Sequence, residues 1–219
     1  FGPWRVDSVI GAGGMGKVFA VDRADGSFEL RAALKLLKLD LLGAEGLRAF
    51  HRERATLARL DHPGIARLLD GGSTDDGLPW LVMEHVAGQR IDEACDARCA
   101  GVRERLEVFA AVCDAVQHAH ANLVVHRDLK PSNILLTERG PKLLDFGIAK
   151  LMQGDGEATR TQTRFSPRYA SPEQVLGEPI TVSTDVHALG VVLYELLCGK
   201  SAFELDTGSP LALVRAICE

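Results

Sequence analysis

The segment that most constrains this chain is Val125–Leu136, which reads V-H-R-D-L-K-P-S-N-I-L-L. It places the carboxylate of Asp128, the ammonium of Lys130 and the carboxamide of Asn133 close together in sequence. Pro131 lacks an N–H and restricts the residue before it, so a regular helix cannot run through the segment. The sequence therefore predicts a polar loop that is anchored by apolar residues on either side.

A second carboxylate follows this loop. Asp145 opens the sequence D-F-G directly after the apolar pair Leu143 and Leu144. A base, a cation, an amide and a second carboxylate suit phosphoryl transfer from a metal-bound nucleotide, because that chemistry depends on positioning and charge neutralisation more than on covalent participation. The two segments together indicate a phosphotransfer site.

H-R-D-L-K-P-S-N followed by D-F-G resembles the catalytic core of eukaryotic-type protein kinases, and G-G-M-G and S-P-E-Q resemble its bacterial Ser/Thr branch. The resemblance implies that residues 1–219 form an α+β, two-lobed protein kinase-like catalytic domain. The expected N-lobe (1–86, with the hinge) has an antiparallel sheet plus one helix, and the expected C-lobe (87–219) is mainly helical. The resemblance also implies that further helices follow Glu219, so we expect the C-lobe to be truncated.

The glycine pattern G-x-G-x-x-G, formed by Gly11, Gly13 and Gly16, is a weak signal by itself. In a dinucleotide-binding unit the third glycine opens a helix, whereas Lys17–Asp22 has the β-branched and aromatic content of a strand. We therefore predict a glycine loop between this strand and Val6–Ile10, with an ordinary Gly-rich hairpin as the plainer interpretation. The resemblance implies that the loop covers the phosphates of ATP.

Lys35 lies in an apolar segment two residues after the small Ala33, which leaves room for a flat adenine ring. A lysine in a strand is usually just exposed with a buried stem. The resemblance places Lys35 at the α- and β-phosphates and pairs it with Glu53, on a helix with the apolar stripe Leu47, Phe50, Leu57 and Leu60. The ATP-binding residues expected from the resemblance are Ile10, Gly11, Ala12, Gly13, Gly14, Met15, Gly16, Val18, Ala33, Lys35, Glu84, Val86 and Leu135.

The pattern predicts two more strands, Ile65–Leu69 and Pro79–Val86, joined by a turn at Ser73–Gly77. Beyond Gly88 the composition becomes helical. An amphipathic helix is predicted from the apolar stripe Val102, Leu106, Phe109, Cys113, Val116 and His120.

The resemblance assigns catalytic roles to four residues. Asp128 is expected to accept or orient the proton of the substrate hydroxyl, and Lys130 to neutralise charge on the moving phosphoryl group, with Lys35 and Glu53 completing the set. The expected metal ligands, Asn133 and Asp145, offer hard oxygens that suit Mg²⁺, with Mn²⁺ as an alternative.

Two further residues have an expected structural role at the loop Val125–Leu136, which is called the catalytic loop below. His126 resembles part of the family's internal packing column. The resemblance implies that Asp185 supports the catalytic loop by contacting it, with a helix N-cap as the plainer interpretation.

The segment Ile148–Glu173 is rich in Gly, Thr, Gln and Arg and reads as a mobile loop. The form L-K-P-S-N resembles Ser/Thr kinases, so the implied function is transfer of the γ-phosphoryl of ATP to protein Ser/Thr hydroxyls. The candidate autophosphorylation sites are Thr159, Thr161, Thr163 and Ser166, and self-association for trans-autophosphorylation fits this expectation. Arg127 is a candidate partner for such a phosphate. The family arginine that pairs with Glu173 is expected beyond Glu219.

Alternative functions stay open. A nucleotide-binding scaffold would need a lost base, lysine or metal ligand, and an inactive truncated kinase would need only its missing helices. A small-molecule kinase is disfavoured by the loop Ile148–Glu173, which the family uses to hold a peptide.

Charge and composition limit the partners and the compartment. The net charge of −5 makes nucleic acid a poor partner. The five cysteines form no dense framework, which favours reduced thiols in a cytoplasmic compartment. The most apolar segment, Ala188–Cys198, is interrupted by Glu195 and too short to span a bilayer, so we expect no membrane segment in this piece, with any anchor outside it.

Overall fold

The computed structural model describes residues 1–13, 16–26, 29–37, 50, 54–146, 167–203, 214 and 216–218. The described residues divide into two compact units. The first unit draws on Phe1–Asp61 and Ala66–Val86, and the second on His62–Ile65, Ala87–Gly147 and Ala158–Glu219.

The first unit contains a five-stranded antiparallel sheet in the order β1-β2-β3-β5-β4. Its strands are β1 (Trp4–Gly13), β2 (Gly16–Arg23), β3 (Arg31–Leu37), β4 (Leu68–Ser73) and β5 (Pro79–Glu84). The predicted antiparallel sheet is therefore confirmed, and β1 extends further in both directions than the predicted Val6–Ile10.

The predicted start of β4 is wrong. The strand begins at Leu68, whereas Ile65 forms an isolated parallel bridge with Leu143 in the second unit. The strand also continues through Gly71 and Gly72, which the turn-like composition had obscured. A Cβ atom on Gly72 would lie 2.7 Å from the ring of Trp80, so a residue without a side chain is needed for this close pairing.

One face of this sheet carries a buried apolar cluster. Its members are Trp4, Val21, Ala32, Leu34, Trp80 and Val82. Trp4 Nε1 donates a hydrogen bond of 2.8 Å to Asp70 Oδ2, so the buried indole has a polar partner. This bond joins residues of β1 and β4, the two edge strands of the sheet.

The predicted helix between β3 and β4 is described only in part. Phe50 is fully buried, residues 54–57 are helical, and Leu57 and Leu60 are buried, as the predicted stripe requires. Arg54 Nη1 donates to Gly71 O at 2.6 Å, which ties this helix to β4. Leu47 and Glu53 lie outside the described residues.

The second unit is mainly helical. Its helices are α1 (Ile91–Ala97), α2 (Val102–Ala121), α3 (Pro172–Leu176) and α4 (Val182–Cys198). A small antiparallel sheet orders β6 (Gln89–Arg90), β7 (Ile134–Thr137) and β8 (Gly140–Leu143) as β6-β7-β8. Because α3 begins at Pro172, the segment predicted as a loop through Glu173 becomes helical before its end.

The predicted buried face of α2 is partly wrong. Val102 and Leu106 are 62% and 42% exposed, and the buried residues are Val112, Ala115, Val116 and Ala119. The prediction favoured large apolar residues, whereas the packed face uses alanines that allow close approach. A Cβ atom on Gly64 would lie 3.0 Å from that of Ala115.

Helix α4 is apolar on most of its surface. Thr181 caps its N-terminus by accepting from Ser183 N, and Gly199 ends it with a φ of +65°. Its described residues bury Ala188, Val191, Val192 and Leu196. Across the described ranges, no helix combines the length and the apolar character that crossing a membrane requires.

Candidate active site

The segment between α2 and β7 brings three polar side chains together. Lys130 Nζ lies 2.9 Å from Asp128 Oδ2, and Asn133 Nδ2 lies 3.1 Å from the same oxygen and donates to Asp128 O at 2.8 Å. Pro131 begins a 3₁₀ turn, Pro131–Asn133, because the first helical position needs no N–H. The Asp128 and Lys130 side chains are only 12% and 23% exposed. The loop therefore presents a carboxylate that is oriented by a cation and an amide.

The donor set at Asn133 and Asp145 fits a hard divalent cation. Both short contacts of Asn133 Nδ2 go to Asp128, so the amide directs its carbonyl oxygen elsewhere. Leu144 N donates to Asn133 O at 2.8 Å, one residue before Asp145. This backbone bond continues the pairing of β7 with β8 and places both oxygen-bearing side chains at one end of the small sheet.

His126 connects the two segments. It is 1% exposed, and its Nε2–H donates to Leu144 O at 2.8 Å because a carbonyl can only accept. Its Nδ1 then accepts from Asp128 N at 3.3 Å. Burial lowers the pKa of His126, which favours the neutral ring that both bonds require. The ring also lies 4.7 Å from that of Phe146, in agreement with the expected packing role.

Asp185 holds the catalytic loop from α4. Its Oδ2 accepts from His126 N at 2.7 Å and lies 2.7 Å from His120 Nε2, and its Oδ1 accepts from Arg127 N at 2.9 Å. The N-cap interpretation of Asp185 is wrong, because Thr181 occupies that position. The contacts agree with the expected bracing role.

Sequence reasoning missed the two residues that hold α3. Gln174 Nε2 donates to Arg127 O at 2.9 Å, and Thr184 Oγ1 donates to Glu173 Oε1 at 2.5 Å. Glu173, expected to lack its family partner, is therefore hydrogen-bonded. The spacing S-x-x-Q at Ser171 is a capping-box signal that identifies the cap but not the reach to Arg127.

In the first unit, the glycine segment forms a hairpin. Gly13 pairs with Gly16, which has a φ of +151°. A Cβ atom on Gly16 would lie 2.0 Å from Leu36 O, so only glycine fits. Lys35 pairs with Val18 and Leu81 across neighbouring strands.

The other residues expected to bind ATP lie on several elements. Ile10, Gly11 and Ala12 are on β1, Ala33 on β3 and Glu84 at the end of β5, whereas Val86 follows β5 and Leu135 is on β7 of the second unit. Gly14, Met15 and Glu53 lie outside the described residues, so the ion pair of Lys35 with Glu53 stays a prediction. The same holds for Thr159, Thr161, Thr163 and Ser166.

The loop H-R-D-L-K-P-S-N, whose aspartate is contacted by its lysine and its asparagine, and the following D-F-G are typical of phosphotransferases of the protein kinase type. The sequence model of the protein kinase domain matches residues 4–216, and the chain belongs to that family.

Curated relatives of this chain are also protein kinases. The chain is 38% identical to a probable serine/threonine-protein kinase PknB of Corynebacterium glutamicum, over 96% of this chain and 33% of that protein. It is 36% identical to the serine/threonine-protein kinase PrkC of Bacillus subtilis, over 97% of this chain and 33% of that protein. The chain spans about a third of the length of these curated relatives.

Among solved structures, the Mycobacterium tuberculosis PknI kinase domain (C20A mutant) matches with a TM-score of 0.74 and 30% identity, over 96% of this chain and 79% of that one. The predicted family and the predicted kinase-like fold are therefore confirmed.

Proposed function

We propose that this chain is the catalytic domain of a Ser/Thr protein kinase, which transfers the γ-phosphoryl of ATP to Ser or Thr hydroxyls of proteins. The observation that carries the proposal is the cluster in which Lys130 Nζ and Asn133 Nδ2 both contact Asp128 Oδ2. The named relatives, all of them serine/threonine-protein kinases, support the substrate class.

In the proposed reaction, the substrate hydroxyl oxygen attacks the γ-phosphorus, the bond to the β–γ bridging oxygen breaks, and ADP leaves. Asp128 accepts or orients the hydroxyl proton. The Lys130 cation neutralises charge that develops on the transferred group. The pair is largely buried, which strengthens both effects relative to water.

Asn133 Oδ1 and the Asp145 carboxylate would hold the metal ion. Mg²⁺, or Mn²⁺ in its place, would neutralise phosphate charge there. The support is chemical: both side chains offer hard oxygens, and the backbone bond from Leu144 to Asn133 brings their positions together.

The remaining assignments rest on the family pattern. Lys35, paired with Glu53, would contact the α- and β-phosphates, and the glycine hairpin would approach them through backbone N–H groups. We further propose autophosphorylation in trans at the Thr-rich segment, through self-association. We also propose a cytoplasmic location, which would supply the ATP that the reaction needs.

A transfer assay with radiolabelled ATP and Mg²⁺ on the full-length protein tests the proposal. We expect label on Ser or Thr of an added protein substrate. Asp128→Asn should lower kcat by about 100- to 10,000-fold, because the proton-accepting carboxylate is lost while the shape is retained. ATP binding by this variant, measured by calorimetry, should be close to that of the wild type.

The control variant is Asp114→Asn, which removes a carboxylate from the same unit on an exposed side chain. Its turnover should equal that of the wild type. Equal turnover of Asp128→Asn and the wild type would refute the role of Asp128. ATP binding without any transfer by the wild type would favour a nucleotide-binding scaffold.

A further inference from the structure

The side chain of Gln174 uses both ends of its amide. At the third position of α3, its Oε1 accepts from Ser171 N at 3.2 Å, while its own backbone N donates to Ser171 Oγ at 3.4 Å. This is a capping box. Its Nε2 points the other way and donates to Arg127 O at 2.9 Å. The capping-box bonds stabilise the N-terminus of α3. The bond from Nε2 to Arg127 O contributes nothing to the cap and needs another explanation.

The acceptor, Arg127 O, belongs to an unusual stretch of backbone. Arg127 has a φ of +68°, a conformation that side chains with a Cβ rarely adopt. Such a conformation persists when surrounding bonds determine it. Here Arg127 N donates to Asp185 Oδ1 at 2.9 Å, and Arg127 O accepts from Gln174.

The carbonyl of Arg127 and the N–H of Asp128 form one planar peptide unit. Gln174 holds the carbonyl of that plane, and His126 Nδ1 accepts from its N–H at 3.3 Å. The direction in which the Asp128 side chain leaves the backbone depends on how this plane is turned. A donor on α3 therefore acts on the orientation of the proposed base.

We infer that Gln174 is a positioning residue, which fixes the Arg127–Asp128 peptide plane and thereby aims the Asp128 carboxylate. The inference rests on the proposed kinase function. It also links α3, which begins at the end of the segment that the family resemblance assigns to peptide binding, to the loop Val125–Leu136 through the bond to Arg127 O.

The variant Gln174→Glu separates positioning from capping. Glutamate is a standard partner in a capping box, so its oxygen can still accept from Ser171 N. It cannot donate to Arg127 O when ionised, and it places a negative charge against that carbonyl. We expect kcat to fall about 10- to 100-fold, because the hydrogen bond that orients the peptide plane beside the base is lost, while KM for ATP stays close to that of the wild type and the melting temperature falls less than in Gln174→Met.

Two further variants serve as controls. Gln174→Glu combined with Glu178→Gln restores the net charge at an exposed position of the same segment, and should be as slow as Gln174→Glu alone. Gln174→Met removes both amide functions and should lose kcat and melting temperature together, because the capping bond is also lost.

Amide hydrogen exchange of the peptide containing residues 125–130 gives a readout that does not depend on activity. We expect faster exchange in Gln174→Glu than in the wild type, with exchange in α2 unchanged.

Wild-type kcat together with wild-type exchange in Gln174→Glu would overturn the inference. If the wild-type protein transfers no phosphoryl group, the proposed function fails, and the exchange measurement still decides whether Gln174 holds the loop. If Gln174→Glu fails to fold, a kcat loss in folded Gln174→Met that exceeds the loss in Ser171→Ala, which removes only the cap hydroxyl, supports positioning. Equal losses overturn it.

Discussion

The Asp185 carboxylate collects three polar contacts, from His120, His126 and Arg127, although its side chain is only 1% exposed. A buried carboxylate is tolerated when donors surround it, and each donor here belongs to the catalytic loop or to the helix that leads into it. One side chain on α4 thereby sets the backbone path of two successive residues before Asp128.

We expect Asp185→Asn to destabilise the fold by about 1–3 kcal/mol, because the new amide group must face a donor and leave it unsatisfied. Urea unfolding measures this change. Turnover should fall by about 100-fold through misplacement of the loop, with ATP binding retained. A variant with wild-type turnover would show that the loop is held without Asp185.

How well the sequence predicted these residues depends on how local their determinants are. Asp128, Lys130 and Asn133 meet within one turn, so their order in the chain was enough to bring them together. Gln174 reaches a backbone carbonyl 47 positions earlier, and no spacing rule encodes such a contact. The positive φ of Arg127 was equally hidden, because the residues that bond its N–H and its carbonyl, Asp185 and Gln174, lie far from it in sequence.

At the scale of elements, α3 joins α4 through the bond from Thr184 to Glu173. Burial raises the pKa of Glu173, but hydrogen bonds from Thr184, its own backbone and Ser171 together hold that pKa below its usual value. A carboxyl with a depressed folded-state pKa contributes stability that is present above the unfolded-state pKa and is lost as the pH falls through the folded-state value.

The free energy of unfolding should therefore decrease as the pH is lowered below about 4.5. In Thr184→Val this decrease should be smaller, because the strongest donor to the carboxylate is absent. Urea titrations between about pH 6 and about pH 3.5 measure both slopes. Identical slopes would mean that Thr184 does not set the pKa of Glu173.

The close contact of Gly72 on β4 with Trp80 on β5 leads to a second prediction about the elements. Gly72→Ala should destabilise the first unit by about 1–3 kcal/mol, since its Cβ would lie 2.7 Å from the Trp80 ring. Combining it with Trp80→Phe, which shortens that ring, should destabilise less than the sum of the two single changes. Additive losses in thermal unfolding would exclude the steric explanation.

Element boundaries show where periodicity fails as a guide. Antiparallel β2 and β3 were predictable because β-branched and apolar residues dominate them. The glycines of β4 look like a turn, and only the approach of Trp80 explains why the strand accepts them. In α2 the packed face includes Ala115 and Ala119, and such small residues do not stand out in a pattern of large apolar side chains.

For the molecule as a whole, bound nucleotide should raise stability by mass action, because only the folded chain can assemble the proposed ATP site. At a concentration one hundred times its Kd, ATP with Mg²⁺ should add about 2.7 kcal/mol to the free energy of unfolding. Lys35→Met should reduce this gain at the same ATP concentration, and Asp145→Ala should remove its dependence on Mg²⁺.

Thermal unfolding with and without the metal separates the two effects, and Asp114→Asn should keep the full gain. An equal gain in all variants would place the nucleotide away from Lys35 and Asp145, whereas selective losses would assign phosphate contact to the first unit and metal binding to the second.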